Sequence, residues 1–449
     1  LPGNENPRTW TTEIVYQSAR TKWYYQGVFN DVVDALKQSG ATEADFNVYL
    51  QLKRAETERK DLANPRGVRG DDATELLERL RVRIGADAFE GMENAAKTWF
   101  DWRKKFVIDP LVESGVMDNE SELVKKIQSN PYYVRYALQD LAEKGAVDHG
   151  ILTFHRQIGT EKDIMPVFSE TLLYDALMAQ SIVEHQGRRA LGGFYGDTAE
   201  RAERKWKGNH WEFVKPADPD LDLLTWLDNG ELQGVYLPKE TVSWYNANKG
   251  GANAALKIIQ TMATPSRAVT TTYNPFFGPR NFAKDFLATQ IQFSEEILPF
   301  RLMASYAMAA RSAYREATGK QDKLVSRALE NRILIEQRYW GTKDTDDPRT
   351  RIQRIHDETG SARQENAPLW KKIITPLNVE NRFFEVWSKL AALHYAEKKG
   401  WMSKDPMKTA EKIRNLAGSP DFLAGGTLKP WYNNIWMFSN AKMQGYVSS

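Results

Sequence analysis

A mostly α fold, drawn out as an elongated multi-helix architecture with a small β-hairpin module near residues 211–238, is what three observations predict. Apolar positions recur at steps of three and four through most of the chain, the spacing of a helix face. Asn229-Gly230 stands between two β-prone runs, Leu221 to Leu227 and Glu231 to Leu237, which is the strongest short-range hairpin signal. In 449 residues the hydrophobic set makes up 41% and the charged set 27%, so there is material for a core, and collagen-like, mucin-like and wholly disordered classes are excluded.

The elements follow in order. Thr42 and Asp45 fit a capping box that opens a helix with Phe46, Tyr49 and Leu50 on one face, ending by Asn64-Pro65. A basic link, Arg66-Gly67-Val68-Arg69-Gly70, leads to a charged helix from Thr74 to about Ile84. Met92, Ala95, Trp99, Trp102 and Phe106 form one helix stripe that Asp109-Pro110 is expected to stop. After a loose stretch from Gly145 to Gly159, a long helix restarts near Asp163 and runs to about Ala190, where Gly192, Gly193 and Gly196 are expected to break it. Trp211-Glu212-Phe213-Val214 alternates and leads into the hairpin. The small-residue stretch Leu302 to Tyr314 reads as close helix–helix packing, with a surface for lipid or another subunit as the alternative. Val379, Phe383, Val386, Leu390 and Leu393 mark a helix packed along a long partner, and Leu428 to Gly445 reads as an irregular tail docked through Trp431, Tyr432, Trp436 and Phe438. Three segments result: 1–150, an N-terminal helical region; 151–262, the long helix plus the β module; and 263–449, a C-terminal helical region with the aromatic tail.

Chemistry is bounded by what the chain contains. It has no cysteine, so disulfides, thiolate metal sites and cysteine nucleophiles are out in any compartment. The formal net charge is +2, which does not support wrapping a long duplex, because that affinity scales with phosphates neutralised. No window of 18 uncharged apolar residues predicts a spanning helix, and the first 30 residues lack the apolar stretch of a secretory leader. The start at Leu1-Pro2-Gly3 reads as a segment or a processed product. No phosphate loop, dinucleotide fingerprint, zinc-protease or nucleophile-elbow motif occurs, and the six histidines are scattered without metal-ligand spacing. Asp218, Asp220 and Asp222 lack the glycine and the bidentate glutamate of a calcium loop. No catalytic, cofactor-binding or metal residue is therefore assigned, and the chain is not read as an enzyme. Arg66 and Arg69, and the cluster Arg204, Lys205, Trp206 and Lys207 with Arg201 and Trp211, are candidates for nucleic-acid contact, since cations take phosphates while an indole stacks on a base. The alternative reading is a helix end with a core Trp. The 14 Trp are the compositional oddity, and Trp99, Trp102, Trp387, Trp431 and Trp436 are expected in helix–helix or subunit contacts.

The most distinctive string is Thr270-Thr271-Thr272-Tyr273-Asn274-Pro275-Phe276-Phe277-Gly278-Pro279-Arg280-Asn281-Phe282-Ala283-Lys284-Asp285. It resembles the threonine-rich motif of the large polyvalent protein-associated domain family of phages and mobile elements, with Asn274, Pro275, Phe277, Arg280, Asn281 and Asp285 on the motif positions. Further pieces resemble that family in order: Tyr49-Leu50 to Arg54, Pro65-Arg66-Gly67, Leu111 to Val116, Pro131 to Tyr136, Glu380-Asn381-Arg382-Phe383, and Trp431 to Gly445. The resemblance implies a long helical polyvalent protein of the internal virion type. Such a protein is held in the bacteriophage capsid and ejected ahead of the genome, and with copies of itself and other ejection or portal proteins it forms a conduit (an ejectosome) across the host envelope and periplasm. Its implied contacts are transient ones with genomic DNA and with membrane, without a spanning helix and without cofactors. A DNA-binding or portal-associated structural module is the alternative, ahead of a peptidoglycan-cleaving or nucleic-acid-processing enzyme domain. A cysteine-free chain suits an oxidising periplasm, and surplus Trp suits subunit interfaces.

Overall fold

A computed structural model describes residues 5–57, 64–116, 166–208, 210–247, 300–318, 320–334 and 369–418, with 120, 125, 130, 132, 282, 285–287, 289–290 and 293. The fold is mostly α, with small antiparallel sheets. Two compact units are present, and neither is a consecutive segment: unit 1 gathers 1–23, 186–226 and 233–449, and unit 2 gathers 24–185 and 227–232. The expected three-way division ran along the chain. The two units gather helix faces far apart in sequence, such as those of Glu13 and Arg414, 401 residues from one another.

Unit 2 is built on the end of α1 (Pro7–Val28), α2 (Asp34–Ser39), α3 (Glu43–Thr57), α4 (Gly70–Ile84), α5 (Ala86–Arg103), α6 (Asp109–Glu113) and most of α7 (Val167–Tyr195). The capping box at α3 forms as expected: Thr42 Oγ1 accepts the Asp45 amide at 3.1 Å, and Asp45 Oδ2 accepts the Thr42 amide at 3.3 Å. Phe46, Tyr49 and Leu50 are fully buried, as are Met92 and Trp99. Trp99 packs edge-on against Phe168 with centroids 4.8 Å apart, and Tyr24 stacks on Phe106 at 4.2 Å. Side chains of this size each bring about 2–3 kcal/mol of burial. Asn47 Oδ1 accepts the Phe168 amide at 2.8 Å, satisfying one of the open donors at the start of α7.

Two expectations are corrected along these helices. Asp109-Pro110 does not end the α5 path. A π-turn at Lys104–Ile108, closed by the Asp109 amide on the Lys104 carbonyl, carries it past Pro110 into α6. Nor do Gly192 and Gly193 break α7, which continues to Tyr195 and gives way to a 3-10 turn at Gly196 with φ 47°. Gly192 is a point of close approach: a Cβ there would lie 2.6 Å from the Trp226 ring.

Unit 1 contains the start of α1 and the β module apart from 227–232, the hairpin end that belongs to unit 2. Strands β1 (Glu200–Arg201), β2 (Arg204–Lys207), β3 (His210–Phe213), β4 (Leu221–Asp228) and β5 (Glu231–Pro238) form a three-stranded sheet of order β1-β5-β4 and a separate β2-β3 ribbon. Asn229 and Gly230, with φ of 49° and 81°, make the two-residue hairpin turn expected of this pair. After α8 (Lys239–Ala247), the unit is dominated by α9 (Phe300–Ala317) packed along α11 (Leu369–Lys398), with α10 (Lys323–Glu330), α12 (Trp401–Lys404) and α13 (Pro406–Leu416). Leu302, Tyr306, Ala309 and Ala313 are buried on one helix, and Val386, Leu390 and Leu393 on the other, so the long partner of the 379–393 stripe is the small-residue helix. Only one side of α9 is used in this way: Met303, Met308 and Tyr314 are exposed. Asp322 caps α10 and Asp405 caps α13, each accepting first-turn amides. Among the described residues, no helix is long and apolar enough to cross a membrane.

Candidate functional site

The buried charges come first, because chemistry in a helical body depends on ionisable groups held out of water. In unit 1, the Glu13 carboxylate is shared by two guanidiniums: Arg414 Nη2 donates to Oε1 at 2.6 Å and Arg332 Nη1 to Oε2 at 2.7 Å. Arg332 Nε also donates to Gln17 Oε1 at 2.9 Å, and Arg414 Nη1 to the Arg332 carbonyl at 3.1 Å. Arg332 has φ 55°, a left-handed backbone that a non-glycine residue holds only when its surroundings fix it. Burial pushes the Glu13 carboxyl up, but the two guanidiniums outweigh it and hold the group below the usual carboxylate range. Arg414 lies over the Tyr16 ring at 4.8 Å.

In unit 2, Arg103 makes a bidentate pair with Asp175, Nε to Oδ2 at 2.7 Å and Nη2 to Oδ1 at 3.1 Å. The Tyr24 hydroxyl donates to Asp175 Oδ2 at 2.8 Å and accepts from Trp99 Nε1 at 3.2 Å. Burial, and then the Asp175 charge, raise the Tyr24 phenol well above its ordinary range, so it remains a donor. A third pair joins α9 to α11: Arg382 Nε and Nη2 donate to the two oxygens of Glu316 at 2.9 and 2.7 Å. His185 Nε2 lies 2.9 Å from the Leu227 carbonyl, and His394 Nδ1 lies 3.1 Å from Ser305 Oγ. Among the described residues, no group of three or more His, Asp or Glu is placed to hold a metal ion. These networks tie helices together, and each described carboxylate in them faces a guanidinium.

Individual residues of the segments singled out in sequence make contacts in two places. Tyr49 packs edge-on to Tyr132 with centroids 6.1 Å apart and hydroxyls at 3.3 Å. Phe282, in the threonine-rich string, stacks on Trp387 at 4.6 Å and contacts Phe384 at 5.3 Å, so this one residue of the string packs on α11, the helix that also carries Arg382. Asp285 is buried, and Asn274, Pro275, Phe277, Arg280 and Asn281 lie outside the described residues, as do Trp431 and Trp436. Trp99 makes its contacts inside the chain's own core. Trp102 is half-buried and donates to Asp31 Oδ2 at 3.0 Å, and Trp387 is half-buried and donates to the Tyr306 carbonyl at 2.8 Å.

The candidate nucleic-acid residues fall on two separate features. Arg66 and Arg69 are exposed in unit 2, in and after the 3-10 turn Pro65–Gly67, where Arg66 has φ 59°. Arg204, Lys205 and Lys207 lie in β2 of unit 1, paired in register with Phe213, Glu212 and His210. The reading of a helix end with a core Trp fails here, because Trp206 is on a strand and 56% exposed. Tyr236, on β5, was not singled out in sequence, yet its hydroxyl donates to the Val214 carbonyl at 2.9 Å and accepts the Glu203 amide at 3.2 Å, fastening both strands of the ribbon at their base. A tyrosine on an alternating strand carries no sign of which backbone groups its hydroxyl will reach. No family model, no curated protein and no solved structure matches this chain.

Proposed function

We propose that the chain is a structural protein of the internal virion, ejection type, acting through self-assembly and surface contact, and taking part in a conduit for genome passage across the host envelope. The observation that carries this reading is that residues of family-like segments find long-range partners. Tyr49 meets Tyr132, each in such a segment, and Phe282 meets Trp387 on the helix that carries Arg382, although 83 and about a hundred residues separate the partners. Contacts of this kind support a shared architecture. The buried Arg–carboxylate pairs fit the same role, since groups held in bidentate contact fix helices in register. The exposed basic ribbon supplies a surface for transient contact with the genome.

The test is the mass of the purified full chain, by mass photometry, with negative-stain imaging. The expected result is a defined ring or tube of several copies that forms alone or with the other ejected virion proteins. A chain that stays monomeric under both conditions overturns the conduit. A DNA-binding or portal-associated module without a channel is favoured instead if the monomer holds duplex DNA with a steep salt dependence between about 50 and 200 mM.

A further inference from the structure

We infer that the β2-β3 ribbon is a stacking platform for single-stranded nucleic acid, with Trp206 as its principal contact. The inference deepens the nucleic-acid contact named above and rests on that part of the reading alone.

The ribbon stands apart from the three-stranded sheet, and the described side chains of β2, Arg204, Lys205 and Trp206, are all exposed. An indole 56% exposed between two lysines contributes little to a core. Residues two apart on a strand share a face, so Arg204 and Trp206 lie together. Phe213, registered opposite Arg204, has the guanidinium 5.0 Å over its ring. One face of the ribbon thus carries the Arg204 guanidinium, seated over a half-buried phenyl ring that lies against Gly234, with the exposed Trp206 indole on the same side. Its base is fixed by Tyr236 and by the Ala202 amide donating to the Gly234 carbonyl at 2.9 Å, so the face is set before a ligand arrives.

Charge then distinguishes single strand from duplex. Between Glu200 and Lys215 there are five cations, Arg201, Arg204, Lys205, Lys207 and Lys215, against the three carboxylates Glu200, Glu203 and Glu212. Lys205 faces Glu212 directly across the ribbon, which reduces its pull on a phosphate. That surplus neutralises about two phosphates, too few for duplex binding that depends on charge alone. Unpaired bases expose the π faces that Trp206 and the Arg204–Phe213 pair can stack on, whereas a duplex hides them.

The experiment is fluorescence anisotropy on the full chain with labelled oligo-dT and oligo-rU of about 12 nucleotides, a blunt duplex of the same length, and poly-glutamate as competitor. Either single strand should bind more tightly than the duplex, with a log–log salt slope near −1.4, about 0.7 per phosphate for two phosphates. The two strands distinguish DNA from RNA. Trp206→Ala should weaken binding roughly tenfold or more, Trp206→Phe should retain most of it, and Arg204→Gln should fall between. Far-UV circular dichroism should be unchanged, since these side chains are exposed. Equal affinity for strand and duplex, full competition by poly-glutamate, indifference to Trp206→Ala, or no binding at all each overturns the inference. A chain that assembles but binds no strand loses this inference alone, and one that binds the strand but stays monomeric loses only the conduit.

Discussion

The two buried charge networks solve one problem in opposite ways. In unit 1 a single carboxylate, Glu13, serves two guanidiniums, while in unit 2 a single guanidinium, Arg103, serves one carboxylate, with Tyr24 and Trp99 completing the shell. The first gathers two guanidiniums on one carboxylate, and the second sets one guanidinium against one carboxylate with hydroxyl and indole donors beside them. Sharing concentrates dependence on the shared group. Pairing with neutral helpers spreads it.

Glu13→Gln should therefore be the most damaging change, taking from the buried Arg332 and Arg414 the carboxylate they share. The expected loss is about 5 kcal/mol, read as lowered urea stability and as lost amide protection in the first turns of α1 and in α13. Asp175→Asn should cost about 3 kcal/mol, because it takes the bidentate carboxylate from one buried guanidinium, which keeps the Trp99 ring 5.2 Å away. If the two losses prove equal, the contrast between shared and paired charge is wrong. Tyr24→Phe should cost about 1–2 kcal/mol, since Arg103 keeps both carboxylate oxygens and only the hydroxyl bridge to Trp99 is lost. The smallest effect should be in pH. Glu13 lies below its ordinary value of 4.5 in the folded chain, so its stabilising contribution is full above that value and is lost as pH falls through the lower folded one. The acid limb of stability against pH should be steeper in the native chain than in Glu13→Gln, and identical limbs would remove Glu13 as the group responsible.

Much of the helical fold was legible because it is local. Thr42 and Asp45 announce a cap, Met92 to Trp99 announce a face, and Asn229-Gly230 announces a turn, each from spacings of a few residues. Partners are another matter. A periodic stripe says that Leu390 and Leu393 are covered, but not that Leu302 and Ala309 cover them. The pull of Glu13 on Arg414 has no signature, since any surface glutamate looks the same in sequence. Gly192 was misread for a physical reason: glycine marks both chain breaks and close approaches, and only the Trp226 ring distinguishes them. The basic cluster at 204–207 was found by its composition, while its strand geometry and the Tyr236 clasp depend on backbone pairing that short irregular strands do not advertise.

The pairing of Glu13 with Arg414 also sets a clock on synthesis. The partners are 401 residues apart, so a chain growing at roughly 5–20 residues per second leaves the first helix waiting some 20–80 s for its second guanidinium. During that interval the Glu13 carboxylate has water in place of Arg414, and the Thr9 hydroxyl lacks the Glu411 carboxylate to which it donates at 2.8 Å. The helix that carries Glu13 is thus made long before it is completed, and a ribosome-stalled chain lacking α13 should expose it to protease or chaperone while the helices of unit 2 are already closed.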